Sequence, residues 1–555
     1  MNLLAETLFR VLIKPNFYRD SLQLMKISDR VRHISTDVLE ASVIMATQTN
    51  KDILIRLGFR PSEVELAGES DVLIAVRAHD QKSIDSAFAE ANRLLESPES
   101  LSGGGGAAKK AADLDSALTA MPDANLILIS VPGEFVKGLS LKLTSLGIHQ
   151  QIFSDHVAVE DEFEIKSEAA KKGVLILGPG AGTSIINGRG IGFSNVIETG
   201  PVGIVAAAGT GLQEVTALLD HCNIGVMHGL GVGGNDPRDK IGGLMMLESL
   251  KLLEQIEGLD VIGIVSKPPS PSVHEKIISY VNNKSRKKYV LAFIGGKRTN
   301  TGQGSVGTSR VVQVSTLASS VLAIARHLGG RLFSEAVRET FVPARDLLAR
   351  LEGEWNKLGS GQKYIRALYT GGTFTYEAQV ILNDMLKDEI FSNAPILNVK
   401  QLADSFKSEA HSIVDLGEEE FTSGRPHPMI DPTIRKFRIL EEAKDHSVAV
   451  LLMDFVLGYG SHADPVGAAL NEIKQARELA EKDGRHLCIV SHVCGSRNDP
   501  QGYGHSVERL ESAGAIVLPT NALAAVASAT VALRGNIDLE RIYSQYLTLE
   551  GSEME

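Results

Sequence analysis

Short apolar runs alternate with longer amphipathic stretches along most of this chain, and each predicts an element. Apolar residues at helical spacing predict a helix over 21–31, and β-branched runs predict strands over 41–45 and 72–76. Further on, the pattern predicts a strand over 126–131, a helix over 134–146, a strand over 151–154, a helix over 160–172 and a strand over 174–177. A second alternating block has strands over 202–207, 224–227 and 261–265 and a helix over 245–256. A polar-rich helical stretch over 333–358 leads to a last block with strands near 365–368, 413–415, 448–454, 488–490 and 515–518. Strands alternating with helices predict an α/β fold with parallel sheets and crossover helices. Before these blocks, 1–98 reads as a small α/β domain. The run Pro-Glu-Ser-Leu-Ser-Gly-Gly-Gly-Gly over 98–106 reads as a flexible linker, assigned here to 99–110.

One pattern occurs twice. Val202-Gly-Ile-Val-Ala-Ala-Ala-Gly209-Thr210-Gly211-Leu-Gln-Glu214 and Ile365-Arg-Ala-Leu-Tyr-Thr-Gly371-Gly372-Thr373-Phe-Thr-Tyr-Glu377 each read as an apolar run, then Gly-Thr-x-x-x-Glu, then a helix. A turn of this kind exposes backbone N–H groups at a positive helix end, which favours phosphate or carboxylate. Glycine lets backbone come close to a ligand. Gly209, Thr210, Gly211, Gly371, Gly372 and Thr373 are therefore candidate anion-binding residues. Gly180, Gly182 and Thr183, in the glycine-rich turn after the strand at 174–177, join them, because ligands of open α/β sheets sit beyond the carboxyl ends of strands.

The net charge of −12 over 555 residues, with no long basic block, argues against nucleic acid as partner. Three cysteines, Cys222, Cys488 and Cys494, include no C-x-x-C pair, so no zinc site or disulfide framework is expected. No metal or cofactor is expected. The uncharged run 515–533 could suggest a membrane span, but Pro519-Thr520-Asn521 near its start favours a buried strand, a turn and a buried Ala-rich helix. Glu6, Arg10 and Lys14 interrupt any signal-peptide core. The expectation is a cytoplasmic protein with no membrane partner.

Gly229-Leu-Gly-Val-Gly-Gly234 matches G-x-G-x-x-G, but Asn235-Asp236-Pro237 separates it from the next helix. That argues against a dinucleotide site and for a loop lining a small-ligand cleft. No Walker A pattern occurs. The most distinctive stretch is Gly424-Arg425-Pro426-His427-Pro428-Met429-Ile430-Asp431-Pro432. Its prolines stiffen the loop. Arg425 could clamp an anion, and His427 could act as acid or base with Asp431 orienting it, so these three are the candidate catalytic residues. A structural loop with a capping Asp is the alternative. His492, Asn498 and Asp499 form a weaker cluster.

These motifs together resemble the FdrA family, which is described as acyl-CoA-synthetase-like. The resemblance rests on Asp20-Ser21, Leu24-Met25, Gly178-Pro179, Gly182-Thr183-Ser184, Gly209-Thr210-Gly211 with Glu214, and Ser266-Lys267-Pro268-Pro269. It continues through Leu368-Tyr369-Thr370-Gly371-Gly372-Thr373, Asp415-Leu416-Gly417, the 424–432 stretch and Asp499-Pro500-Gln501. Residues 120–330 also resemble the α subunit of succinyl-CoA synthetase. The resemblance implies Rossmann-like and flavodoxin-like parallel-sheet modules: a CoA-binding-type Rossmann-like domain over 111–197, a ligase-like flavodoxin domain over 198–332, a connector over 333–358 and a C-terminal ligase-like α/β domain over 359–555. The synthetase's phosphorylated histidine has no counterpart in Asn300-Thr-Gly-Gln-Gly-Ser-Val-Gly-Thr308, and the ATP-grasp domain is missing, which argues against ATP-driven thioester formation. What the FdrA resemblance implies instead is a subunit of oxamate carbamoyltransferase, working with separate partner subunits on phosphate, carbamoyl phosphate, oxamate and oxalurate in allantoin breakdown. A CoA or acyl-phosphate enzyme and a non-catalytic assembly subunit are the alternatives.

Overall fold

The computed structural model describes residues 7–19, 21–96, 111–296, 310–329, 336–341, 346–423, 425–542 and 545–546. The glycine-rich linker and the 300–308 stretch lie outside them. The chain divides into two compact units, Met1–Met121 with Leu416–Phe437, and Pro122–Asp415 with Arg438–Glu555.

In the first unit, β1 (Leu8–Lys14), β2 (Val38–Met45) and β3 (Val72–Ala78) form an antiparallel sheet ordered β1-β3-β2. The period of two decides its packing. Val72, Ile74 and Val76 of β3 enter one cluster with Leu24, Ile27 and Leu94 of the helices Ser21–Arg32 and Gln81–Glu96. Leu73 and Ala75 enter the opposite one with Leu54, Phe59 and Val64.

The second unit carries three sheets. β4 (Leu126–Ile129), β5 (His149–Ile152) and β6 (Ile176–Leu177) pair in parallel. β7 (Thr183–Ile186), β8 (Arg189–Gly192), β9 (Val202–Ala206), β10 (Val226–Gly231), β11 (Val261–Ser266), β12 (Lys288–Phe293) and β13 (Val311–Val314) form a seven-stranded sheet ordered β13-β12-β11-β9-β10-β7-β8. Its β13-to-β10 part is parallel, and β7 adds antiparallel to β10. Thus β7 and β8, inside the stretch read as part of the first Rossmann-like module, belong to the next sheet. β14 (Tyr364–Tyr369), β15 (Ile390–Ser392), β16 (Lys400–Gln401), β17 (His411–Asp415), β18 (Val448–Val456), β19 (Cys488–Cys494) and β20 (Ala515–Leu518) form an all-parallel sheet ordered β16-β15-β17-β14-β18-β19-β20.

The fold is α/β with parallel-sheet modules, as the alternation of elements predicts. Sheets covered on both faces need continuous apolar strands, and every residue of β18 is buried. The 515–533 run is β20, a turn and the wholly buried helix Asn521–Ala532. No described helix is long and apolar enough to cross a membrane. The Gly229–Gly234 loop is packed up to Gly233, whereas Gly234 is exposed with open space beside it. A Cβ on Gly231 would meet the Thr183 carbonyl at 2.3 Å, and one on Gly233 the Pro179 carbonyl at 2.6 Å. Gly231 and Gly233 thus serve backbone-to-backbone packing.

Candidate functional site

β9 ends at Ala206 and the helix Gly209–His221 begins three residues later; β14 ends at Tyr369 and the helix Gly372–Met385 begins likewise. The residues before them, Ala208 and Gly371, supply no side-chain cap. Helices elsewhere in the same unit do cap themselves: Thr316 accepts from Ser319 N and Thr520 from Leu523 N. The first N–H groups of a helix have no intrahelical acceptor. Among the described residues, the N–H groups of Gly209, Thr210, Gly211, Gly372 and Phe374 find none elsewhere.

The two starts touch. Thr373 N donates to Thr210 Oγ1 at 3.3 Å. A Cβ on Gly371 would lie 3.0 Å from Thr210 Cγ2, and one on Gly211 would lie 3.0 Å from Thr373 Cγ2. Glycine is required here because the turns approach so closely. Two positive helix ends are thereby brought together, an arrangement that an anion stabilises.

The two starts differ electrostatically. Gly209 is exposed, and a Cβ there would meet only Thr183 Oγ1, at 3.8 Å. Thr183 is 2 % exposed, and its hydroxyl has no hydrogen-bond partner among the described residues. At the other start, a Cβ on Gly372 would lie 2.9 Å from Asp415 Oδ2. Asp454 accepts from Thr370 N at 2.8 Å, Thr370 Oγ1 at 3.0 Å and Gly371 N at 3.0 Å. Two carboxylates therefore already offset the positive end of the Gly372 helix, whereas among the described residues no carboxylate bonds to the Gly209 start.

One turn further in, the repeated glutamates cross over. Glu377 accepts from Leu317 N at 2.8 Å, at the head of the helix Leu317–Leu328, and from Asn521 Nδ2 at 2.8 Å. Glu214 lies 2.8 Å from His492 Nε2 and accepts weakly from Asn521 N at 3.5 Å. Each glutamate thus serves a helix head that follows the other sheet. Burial pushes the Glu377 carboxyl up to about 7, although Leu317 N and Asn521 pull it down. For His492, burial lowers the pKa, but the Glu214 carboxylate outweighs it and the net shift is upward.

The remaining sequence-predicted residues have other surroundings. Gly180 N donates to Ser154 O at 2.9 Å, Ala181 N to Ile152 O at 3.2 Å and Gly182 N to Gly180 O at 3.1 Å, so the backbone donors of that turn are taken. In the first unit, Arg425 Nη2 lies 3.3 Å from Asp431 Oδ2. Asp431 Oδ1 accepts from Thr433 N at 3.0 Å and Thr433 Oγ1 at 2.6 Å. Burial would raise the Asp431 carboxyl, but Arg425 and Thr433 hold it below its usual value. His427 Nδ1 accepts from Met429 N at 3.2 Å. Arg425 and Asp431 thus engage one another inside the loop. Asp499 accepts from Val196 N at 2.8 Å and Asn195 Nδ2 at 2.6 Å. Of the anion candidates, the structure brings Gly209, Thr210, Gly211, Gly371, Gly372, Thr373 and Thr183 together. Sequence reasoning missed Asp454, Asn521 and the reach of Glu214 and Glu377; only the recurrence of Glu at one place in both repeats signalled the last.

A family model described as CoA-ligase matches residues 368–531, and one described as the heavy-metal-associated domain of AllF matches 7–112. The residues of 7–112 do not fit a soft metal. Such ions favour thiolate and thioether ligands; the stretch holds no cysteine, the first of the chain being Cys222, and only Met25 and Met45 as thioethers, and no group of three His, Cys, Asp or Glu able to hold a metal occurs among the described residues. The chain is 28 % identical to the α subunit of an ADP-forming succinate–CoA ligase of Methanothermobacter thermautotrophicus, over 36 % of this chain and 66 % of that one. It is 24 % identical to subunit SauD of an ADP-forming sulfoacetate–CoA ligase of Bilophila wadsworthia, over 32 % of this chain and 62 % of that one. A dinucleotide-forming acetyl-coenzyme A synthetase of Ca. Korarchaeum cryptofilum aligns at TM-score 0.27 and 15 % identity, covering 75 % of this chain and 85 % of that one. These relatives correct the expectation of a carbamoyltransferase: the matches are to CoA ligases, and the enzyme class they indicate is ligase rather than transferase. The uncharacterized protein YahF of Escherichia coli is 35 % identical over 92 % of this chain and 95 % of its own length. The chain therefore belongs to the acyl-CoA-synthetase-like family that includes YahF.

Proposed function

We propose that this chain is the anion-handling core of an acyl-CoA-synthetase-type enzyme. It holds phosphate, or the phosphoryl group of an acyl phosphate, at the start of the Gly209–His221 helix and carries out the half-reaction of such a ligase in which acyl phosphate and acyl-CoA interconvert. The observation that carries this reading is the open set of donors at that start: the N–H groups of Gly209, Thr210 and Gly211 beside the hydroxyl of the buried Thr183, which has no partner among the described residues. In the direction from thioester, a phosphate oxygen attacks the acyl carbonyl and the CoA thiolate leaves and takes a proton. Donors fixed before the reaction hold the phosphate for that attack and cost no reorganisation. CoA enters this proposal from the relatives that are named CoA ligases. Within the family, kinship to FdrA is supported by the 424–432 motif. Any nucleotide-driven step is assigned to a separate partner subunit, because the matched ligase relatives are themselves named as subunits.

The test is release of free thiol from acetyl-CoA and succinyl-CoA with and without inorganic phosphate. The expected result is phosphate-dependent release that Gly209→Asp abolishes. Release indifferent to both phosphate and this substitution would contradict the proposal.

A further inference from the structure

Lys267 follows β11 directly and carries an exposed side chain. Strand register places it. The pairing of β11 with β9 ends at Val265 with Ala206, and the same register carried two residues further sets Lys267 level with Ala208, the residue before the Gly209 helix. Two residues earlier on the strand, Val265 Cγ1 comes within 3.1 Å of where a Cβ on Gly211 would stand. Side chains two apart on a strand share a face. Lys267 is thereby directed to the side where the helix starts meet, and its Nζ lies 5.0 Å from the ring centroid of Tyr376 on the Gly372 helix. No carboxylate pairs with Lys267 among the described residues. An exposed lysine with no carboxylate partner on this side adds to the positive potential of the uncompensated Gly209 helix end, which an anionic ligand offsets.

We propose that Lys267 is a specificity-determining residue, which adds a unit positive charge to the anion site at the Gly209 start and selects a phosphate-type dianion over a carboxylate monoanion. This rests on the anion site proposed above and adds the charge of its occupant. The carboxylates Asp415 and Asp454 lie by the Gly372 start, so the dianion is placed at the Gly209 start, where Thr183 supplies the neutral donor. A lysine serves such a group as a point charge, without the planar fork of arginine.

The experiment is calorimetric titration of the full chain with inorganic phosphate and, separately, with acetate, for the parent protein, Lys267→Met, Lys267→Arg and Thr183→Val. An exposed charge is screened, so Lys267→Met should weaken phosphate about three- to tenfold. The loss should shrink as salt rises, acetate binding should change less, and Lys267→Arg should restore most of the affinity. If Thr183→Val weakens phosphate binding and Lys267→Met does not, the anion site stands and the role of Lys267 is overturned. If the parent protein binds no phosphate, the site itself is overturned, and this inference with it.

Discussion

Thr373 N donates to Thr210 Oγ1 across 3.3 Å, so one Gly-Thr turn is the hydrogen-bond partner of the other. Thr210 is 7 % and Thr373 5 % exposed, so nothing else can easily take over the bond. Thr210→Val keeps the shape and removes the acceptor. It leaves a buried N–H unpaired, at a cost of about 1–3 kcal/mol. Urea denaturation should show this loss, whereas Thr210→Ser, which retains the hydroxyl, should lose less.

Glu214 and His492 are each 1 % exposed and lie 2.8 Å apart. Removing one partner of such a pair strands the other charge, at a cost of about 3–5 kcal/mol. Glu214→Leu alone should therefore destabilise strongly, and adding His492→Phe should recover a good part of the loss. A double-mutant cycle measured by denaturation checks this. Additive single losses would mean that the pair carries no coupling.

Glu377 sets a pH dependence. Its folded value of about 7 lies above the ordinary 4.5, so the folded state binds the proton more tightly than the unfolded chain. Stability attributable to this group is therefore highest below about pH 4.5 and declines as pH rises through about 7. His492 acts in the same direction, because its folded value is raised and its contribution is lost as pH climbs through that value. Glu377→Gln removes the first of these titrations. Its melting temperature should fall less between pH 5 and 7 than that of the parent protein, where about one-unit steps are each worth up to about 1.4 kcal/mol.

The alternation of apolar runs and helices made the sheets legible, because a strand buried on both faces must be apolar throughout, as β18 is. The helix starts were legible too, since Gly-Thr at the head of a helix with no capping side chain before it is a local signal. Sheet membership was not. β7 and β8 are short, and their place beside β10 is set by contacts distant in sequence, such as the antiparallel pairing of Ile185 with Gly229 and the bond from Gly188 N to Met227 O. The 424–432 stretch read as chemically charged because Arg, His and Asp are close in sequence; the structure pairs Arg425 with Asp431 inside the loop. Local sequence names the groups but not which of them pair, nor that Arg425 Nη1 stays buried with no hydrogen-bond partner among the described residues. Asp454 shows the same limit, since nothing near it in sequence foretells its bonds to Thr370 and Gly371.

The open Gly209 start is the centre of this account. A side chain fits there, because Gly209 does not require left-handed backbone and a Cβ would meet only Thr183 Oγ1 at 3.8 Å. Gly209→Asp would place a carboxylate where phosphate is expected, and an acidic residue at a helix start does not harm the helix. Calorimetric titration of inorganic phosphate into the parent protein and Gly209→Asp is the most direct measurement. The account predicts saturable binding to the parent protein and loss of at least about tenfold in affinity for Gly209→Asp, with an unchanged melting temperature. Equal phosphate affinity in the two proteins would contradict it.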